Sequence, residues 1–146
     1  MEIITQSAQE TQRIGAEFAN KLKLKKDGAC VVCLSGELGS GKTTFVQGFI
    51  GELIPNSRII SPTFIILREY DALGKFKKIY HADFYRLEDN LEDEMETLGF
   101  FDIFGDRESI ILIEWAEKIA SFIPKEAVWI YFEDMENERR KIVFKE

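Results

Sequence analysis

The chain has 146 residues, of which 26 are acidic and 19 basic, giving a formal net charge of −7; 45% of its residues are hydrophobic and 31% charged. That length holds one hydrophobic core, so the sequence reads as a single domain, residues 1–146, and the composition is that of a globular rather than a disordered protein. The acidic excess excludes a surface that grips a nucleic-acid backbone unaided, because counterion release needs clustered Lys and Arg.

The first residues, Met1-Glu2-Ile3-Ile4-Thr5-Gln6, lack the basic start and apolar run of a signal peptide, and no stretch approaches a membrane span in length, so the expectation is a cytoplasmic protein without a membrane partner. Ser7-Ala8-Gln9-Glu10 has the form of a capping box, and Ile14, Phe18 and Leu22 recur at helical spacing, which predicts a helix over 8–25. The lysines within 21–26 read as its solvated end. Asp27-Gly28 closes it, and the apolar run 29–34 predicts a central strand covered on both faces. Cys30 and Cys33 form a C-x-x-C inside that run. Positions three apart on a strand face opposite sides and no second ligand pair follows, so the pair reads as core rather than as a redox or zinc site.

A glycine loop separates this strand from a predicted helix over 44–53. Two strand-like runs, 64–70 and 76–81, flank Asp71-Ala72-Leu73-Gly74-Lys75, a hairpin signal that makes them antiparallel. A helix is expected over 91–98, stopped by Gly99, with the aromatic run 100–104 packed beneath a loop. A buried strand over 110–114 ends in an acid, and the tail forms a second hairpin, 127–132 and 140–144, around a polar turn. Parallel crossovers combined with hairpins imply a mixed sheet.

Gly36-Glu37-Leu38-Gly39-Ser40-Gly41-Lys42-Thr43 satisfies G-x-x-x-x-G-K-[ST] at every fixed position, between the predicted strand and helix that the motif requires. Glycines let backbone N–H groups curl around phosphates, Lys42 supplies a point charge for the terminal phosphates, and Thr43 offers its hydroxyl to Mg²⁺. Phosphoryl-transfer sites of this kind also need an acid at the end of a neighbouring strand. Asp83 and Glu114 both stand at such ends. His81, the single histidine, has two readings: a general base, or a buried structural residue orienting Asp83.

The motifs G-E-L-G-S-G-K-T-T (Gly36 to Thr44), S-P-T-F (Ser61 to Phe64), Y-H-A-D-F-Y-R-L (Tyr80 to Leu87) and L-I-E-W (Leu112 to Trp115) together resemble the TsaE (YjeE) family of small bacterial ATPases. The likeness runs through nearly the whole chain in the right order. With the phosphate loop it implies an α/β fold, a P-loop NTPase-like three-layer sandwich with a mixed, mainly parallel central sheet and a C-terminal β-hairpin. It further implies ATP hydrolysis with Mg²⁺ in the making of threonylcarbamoyladenosine beside the tRNA anticodon. TsaB and TsaD type proteins would be the direct partners, tRNA would be met only through their complex, and no DNA would be bound.

Carried over by matching motifs, Glu37, Leu38, Gly39, Ser40, Gly41, Lys42, Thr43 and Thr44 would hold the phosphates, and Thr43, Asp83 and Glu114 would serve the metal and the attacking water. Lys42, Asp83 and Glu114 would form the catalytic set. Thr63, in Ser61-Pro62-Thr63, would approach the γ-phosphate as a switch, while Ser61-Pro62 also reads as an ordinary turn. The start of the first helix, around Ala8 and Thr11, would lie near the adenine, and the last hairpin would reach the other side with Arg139 or Arg140. Trp115 is open between an exposed contact with a partner or nucleotide and a core position, and Arg86 between transition-state stabilisation and a surface or structural ion pair. Two other functions stay in view: a small-molecule kinase, which the acidic stretch 87–107 without an internal Arg disfavours, and a nucleotide-sensing module without useful turnover.

Overall fold

In a computed structural model, residues 1–55, 66–72 and 74–145 are described. In chain order the elements are β1 (Glu2–Thr5), α1 (Ala8–Lys21), β2 (Cys30–Ser35), α2 (Lys42–Leu53), β3 (Leu67–Asp71), β4 (Lys78–Asp83), α3 (Leu91–Thr97), α4 (Phe100–Phe104), β5 (Ser109–Glu114), a 3-10 helix (Ala116–Phe122), β6 (Val128–Asp134) and β7 (Arg140–Lys145). The strands form one seven-stranded sheet in the order β1-β7-β6-β2-β5-β4-β3. Its middle, β6-β2-β5-β4, is parallel. Both margins are antiparallel, with β7 and β1 on one side and β3 on the other.

This arrangement follows from where apolar residues fall. Cys30 through Leu34 and all of β5 are buried, as strands must be when helices cover both faces. On one face α1 and α2 lay Ile14, Phe45, Phe49 and Ile50 over Val32, Leu34, Ile79 and Leu112. On the other, Met95, Phe100 and Ile119 from α3, α4 and the 3-10 helix cover Val31, Cys33, Ile111 and Ile113. Three layers result, as expected from the sequence. Cys30 and Cys33 divide between the two faces as free, buried thiols. Burial, with Glu117 adding to it, pushes the Cys33 thiol up to about 12, which suits a core residue and not a nucleophile.

Ser7 caps α1, its hydroxyl accepting from the Glu10 N–H at 3.1 Å. The helix ends at Lys21 rather than at residue 25. Leu22 turns extended (φ −70°, ψ 144°) and buries its side chain, its carbonyl taking a hydrogen bond from the Lys75 ammonium. The lysines beyond it offer no apolar stripe to continue the helix. α2 packs so closely on α1 that a Cβ at Gly48 would run into the Gln12 carbonyl.

Three further local differences separate the structure from the sequence reading. The run 100–104 is a short helix, entered through Gly99 at φ 80°, and not a loop-covered coil; Phe100 needs that turn to pack on Phe84 at 5.4 Å. β1 had no counterpart among the predicted strands, because four residues carry too little pattern and its place is set by pairing with β7. The 3-10 helix after β5 was likewise not expected.

Candidate functional site

The chain leaves β2 at Ser35 and enters α2 at Lys42, so the glycine loop lies at the carboxyl end of the parallel strands, where α/β sheets place their ligands. Gly36 has φ 151°, and a Cβ there would come within 2.5 Å of the Phe132 carbonyl; only glycine lets the chain turn off the strand this close to β6. Gly39 and Gly41 also have positive φ. The backbone N–H groups of Lys42, Thr43 and Thr44 open α2, and as first-turn groups they have no acceptor within the helix. They are suited to an anion.

The two acids arrive by register. In the parallel β4–β5 ladder Asp83 is the partner of Glu114, and in the β2–β5 ladder Glu114 is the partner of Leu34, the residue before Ser35. Ile79, His81 and Asp83 alternate onto the sheet face that α2 covers, as do Ile110, Leu112 and Glu114. The β5 row turns from apolar to polar at Glu114, where it reaches the phosphate loop, and the β4 row turns one position earlier, at His81. Thr43 donates to Glu114 Oε1 across 3.4 Å. Glu114 Oε2 lies 2.6 Å from His81 Nε2. His81 is wholly buried, and it engages Glu114, not Asp83 as the sequence suggested. Asp83 Oδ1 accepts from the Tyr85 N–H at 2.8 Å. Burial lifts the Asp83 carboxyl above its ordinary value, opposed by that hydrogen bond and reinforced by Glu114.

Lys42 is 5% exposed. Its ammonium donates to the carbonyls of Gly36 and Glu37, the latter at 3.0 Å, and stands 4.6 Å from the centre of the Trp115 ring. Desolvation lowers its pKa, against the upward pull of Glu114, Glu117, Asp83 and Glu37. Trp115 follows Glu114 with φ 60° and ψ 35°, a left-handed conformation that costs a bulky residue about 1–3 kcal/mol. It packs on Tyr85 at 5.1 Å. Lys118 donates to the carbonyls of Tyr85 and Leu87 and so ties that wall down.

Between these groups lies a cleft of about 160 Å³, as bounded by the described residues. It has room for terminal phosphates and a cation rather than for a whole nucleotide, since pockets that enclose drug-sized ligands run from roughly 300 Å³ upward. Leu38, Gly39, Gly41, Lys42, Thr43 and Thr44 line it, and Asp83 and Glu114 face them. Glu37 is on the far side of the loop, in an adjoining cleft with Tyr131. Ser40 is tucked under Gly36, its buried hydroxyl without a partner among the described residues.

Thr11 does not reach the cleft. It is buried, with its hydroxyl 2.7 Å from that of Thr5, where it locks the start of α1 to the end of β1. The C-terminal hairpin does reach the loop, through Arg140 rather than Arg139. The Arg140 stem lies over Gly41, while Arg139 donates to the Met135 carbonyl inside the hairpin turn. Thr63, with Ser61 and Pro62, lies outside the described residues. Tyr85, Trp115 and Arg140 line the cleft; a nucleotide contact is one of the readings the sequence leaves open for Trp115, whereas it assigns Tyr85 no role.

The donor set suits a small hard cation: a threonine hydroxyl and two carboxylates, all oxygen. Among the described residues no group of three or more His, Cys, Asp or Glu side chains is arranged to hold a metal by itself. Mg²⁺ is ordinarily taken up through one or two carboxylates together with substrate phosphates, so the residues present fit it. No helix among the described residues is long and apolar enough to cross a membrane.

The family model described as threonylcarbamoyl adenosine biosynthesis protein TsaE matches residues 5–142. The tRNA threonylcarbamoyladenosine biosynthesis protein TsaE of Haemophilus influenzae is 39% identical over 129 residues, covering 86% of this chain and 78% of that protein. The protein of the same name from Treponema pallidum is 37% identical over 147 residues, covering 97% of this chain and 98% of its own length. The crystal structure of Bacillus subtilis YdiB superposes with a TM-score of 0.75 at 29% identity, covering 99% of this chain and 83% of that one.

Proposed function

Because this chain belongs to the TsaE family, which takes part in tRNA threonylcarbamoyladenosine biosynthesis, we propose that it is the Mg²⁺-dependent ATP-hydrolysing subunit of that machinery, acting on TsaB and TsaD type proteins. The observation that carries the reading is the meeting of Thr43 with Glu114 at the mouth of the phosphate loop, with Asp83 paired to Glu114 by strand register.

In this reading the loop N–H groups and the Lys42 ammonium bind and orient the terminal phosphates. Mg²⁺, when bound, would neutralise charge developing on the phosphate oxygens. Thr43, Asp83 and Glu114 would hold it, and one of the two carboxylates would also position the attacking water. Trp115 and Tyr85 form an apolar wall that limits solvent at the γ-phosphate end. The acidic surface leaves tRNA to the partner proteins.

Purified protein mixed with ATP and Mg²⁺, with and without TsaB and TsaD, tests this directly. Phosphate release that appears mainly with the partners is the expected result. ADP formation that requires an added small-molecule acceptor would make the chain a kinase. Nucleotide binding without release in either setting would leave it a sensor.

A further inference from the structure

A fully buried imidazole in a row of core residues is an expensive choice unless its polar atoms are used. His81 is 0% exposed, and its register partner on β5 is Leu112, also 0% exposed. A leucine or isoleucine at 81 would extend that apolar row. Instead the ring reaches diagonally along the ladder to Glu114, the partner of Asp83. An ionised carboxylate only accepts hydrogen bonds, so Nε2 is the donor. Nδ1 is buried with no partner among the described residues, so among them the ring's one hydrogen bond is to a single oxygen of Glu114.

We propose that His81 is a positioning residue, whose Nε2–H holds Glu114 Oε2 and thereby presents Oε1 to Thr43 and the phosphate loop. The two distances, 2.6 Å to Oε2 and 3.4 Å from Thr43 to Oε1, are the two ends of one carboxylate. Held at one end only by Thr43, the Glu114 side chain would keep its rotamer freedom just where its direction matters. Hydrogen bonds of this supporting kind, behind carboxylates that hold a cation, are worth about 10- to 100-fold in metal affinity or activity. This proposal rests on the function proposed above.

The test compares His81→Leu, which keeps apolar bulk and deletes the donor, with His81→Gln, whose amide N–H can occupy the region of Nε2. ATP affinity is measured in Mg²⁺ and in EDTA, with thermal unfolding as the check on folding. His81→Leu is expected to bind ATP in EDTA as the parent does and to lose about 10- to 100-fold in the Mg²⁺-dependent part of affinity and in kcat. His81→Gln should recover much of both. Equal Mg²⁺-dependent affinity and kcat in His81→Leu and parent would overturn the proposal, as would an equal loss in EDTA.

A second measurement needs no variant at 81 and no turnover. His81 is the single histidine of the chain, so its ring nitrogens are unambiguous in a long-range ¹H–¹⁵N spectrum of the whole protein. The Nε2–H tautomer is expected, with both ring signals moving in Glu114→Gln. An Nδ1–H tautomer, or signals that Glu114→Gln leaves in place, would overturn it. Should the parent release no phosphate with TsaB and TsaD, the proposed function fails, while Mg²⁺-dependent affinity and this spectrum still decide the role of His81.

Discussion

Thr43 and Glu114, 71 residues apart in the chain, meet hydroxyl to carboxylate at 3.4 Å where the phosphate loop becomes α2 and β5 ends. In the proposed function neither of these two side chains holds the phosphates themselves, a task given to the backbone N–H groups and Lys42. Glu114→Ala should therefore keep ATP binding in EDTA within a few-fold of the parent, while the Mg²⁺-dependent part of affinity falls by at least about 10- to 100-fold and phosphate release in the presence of TsaB and TsaD by about 100-fold or more. Calorimetric binding and a phosphate-release assay on the same preparation separate the two effects. Normal hydrolysis by Glu114→Ala would transfer the acidic role to Asp83 alone.

Lys42 gives the opposite split. Its ammonium is the one basic group that lines the cleft from the loop itself, and desolvation there outweighs the pull of the nearby carboxylates on its charge. Lys42→Ala should weaken ATP binding by about 10- to 100-fold or more, the worth of a hydrogen-bonded charge at a buried phosphate. The same substitution removes the cation 4.6 Å from the Trp115 ring, so the Trp115 emission should change even without nucleotide. Tight binding retained in Lys42→Ala would mean the loop amides suffice.

The sequence exposed those parts of the fold whose pattern is local. The run 29–34 reads as a doubly covered strand because a central parallel strand is apolar on both faces, and Ser7 to Glu10 reads as a helix start because the cap bond closes within four residues. β1 was not legible, since what makes Glu2–Thr5 a strand is the backbone of β7 at the other end of the chain. The site divides the same way. The loop and both strand-terminal acids stand out in one dimension, but which acid His81 touches depends on the β4–β5 register. Arg140 and Arg139 differ by one residue, but β7 begins at Arg140 while Arg139 still belongs to the hairpin turn.

The contact of α1 with α2 yields a prediction of sign. Alanine is favoured over glycine inside a helix by about 1 kcal/mol. At Gly51 nothing among the described residues lies within 4 Å of a Cβ, so Gly51→Ala should stabilise the protein by up to about 1 kcal/mol. At Gly48 the new methyl would strike the Gln12 carbonyl, and overpacking of this kind costs roughly 1–3 kcal/mol, enough to outweigh the propensity gain. Urea midpoints of the two variants should move in opposite directions. A shared upward shift would show that α1 can slide away from α2 freely.

Asp83 links the site to stability. Burial, with Glu114 beside it, holds its carboxyl above the ordinary 3.8 in the folded chain, so the native protein binds that proton more tightly than the unfolded one. The stabilisation from this proton is therefore full below 3.8 and is lost as pH rises through the native value. Asp83→Asn lacks that dependence and keeps an oxygen to accept from the Tyr85 N–H. Without ligand, its melting temperature should gain on that of the parent as pH is raised from about 3.5 to about 7, and at neutral pH it should equal or exceed it. Mg²⁺-dependent ATP affinity should fall in the same variant by about 10- to 100-fold. A residue that lowers stability while serving the site is what a carboxylate kept for a cation and phosphates would be. A variant less stable than the parent at neutral pH would instead make Asp83 a structural anchor for the turn at Tyr85.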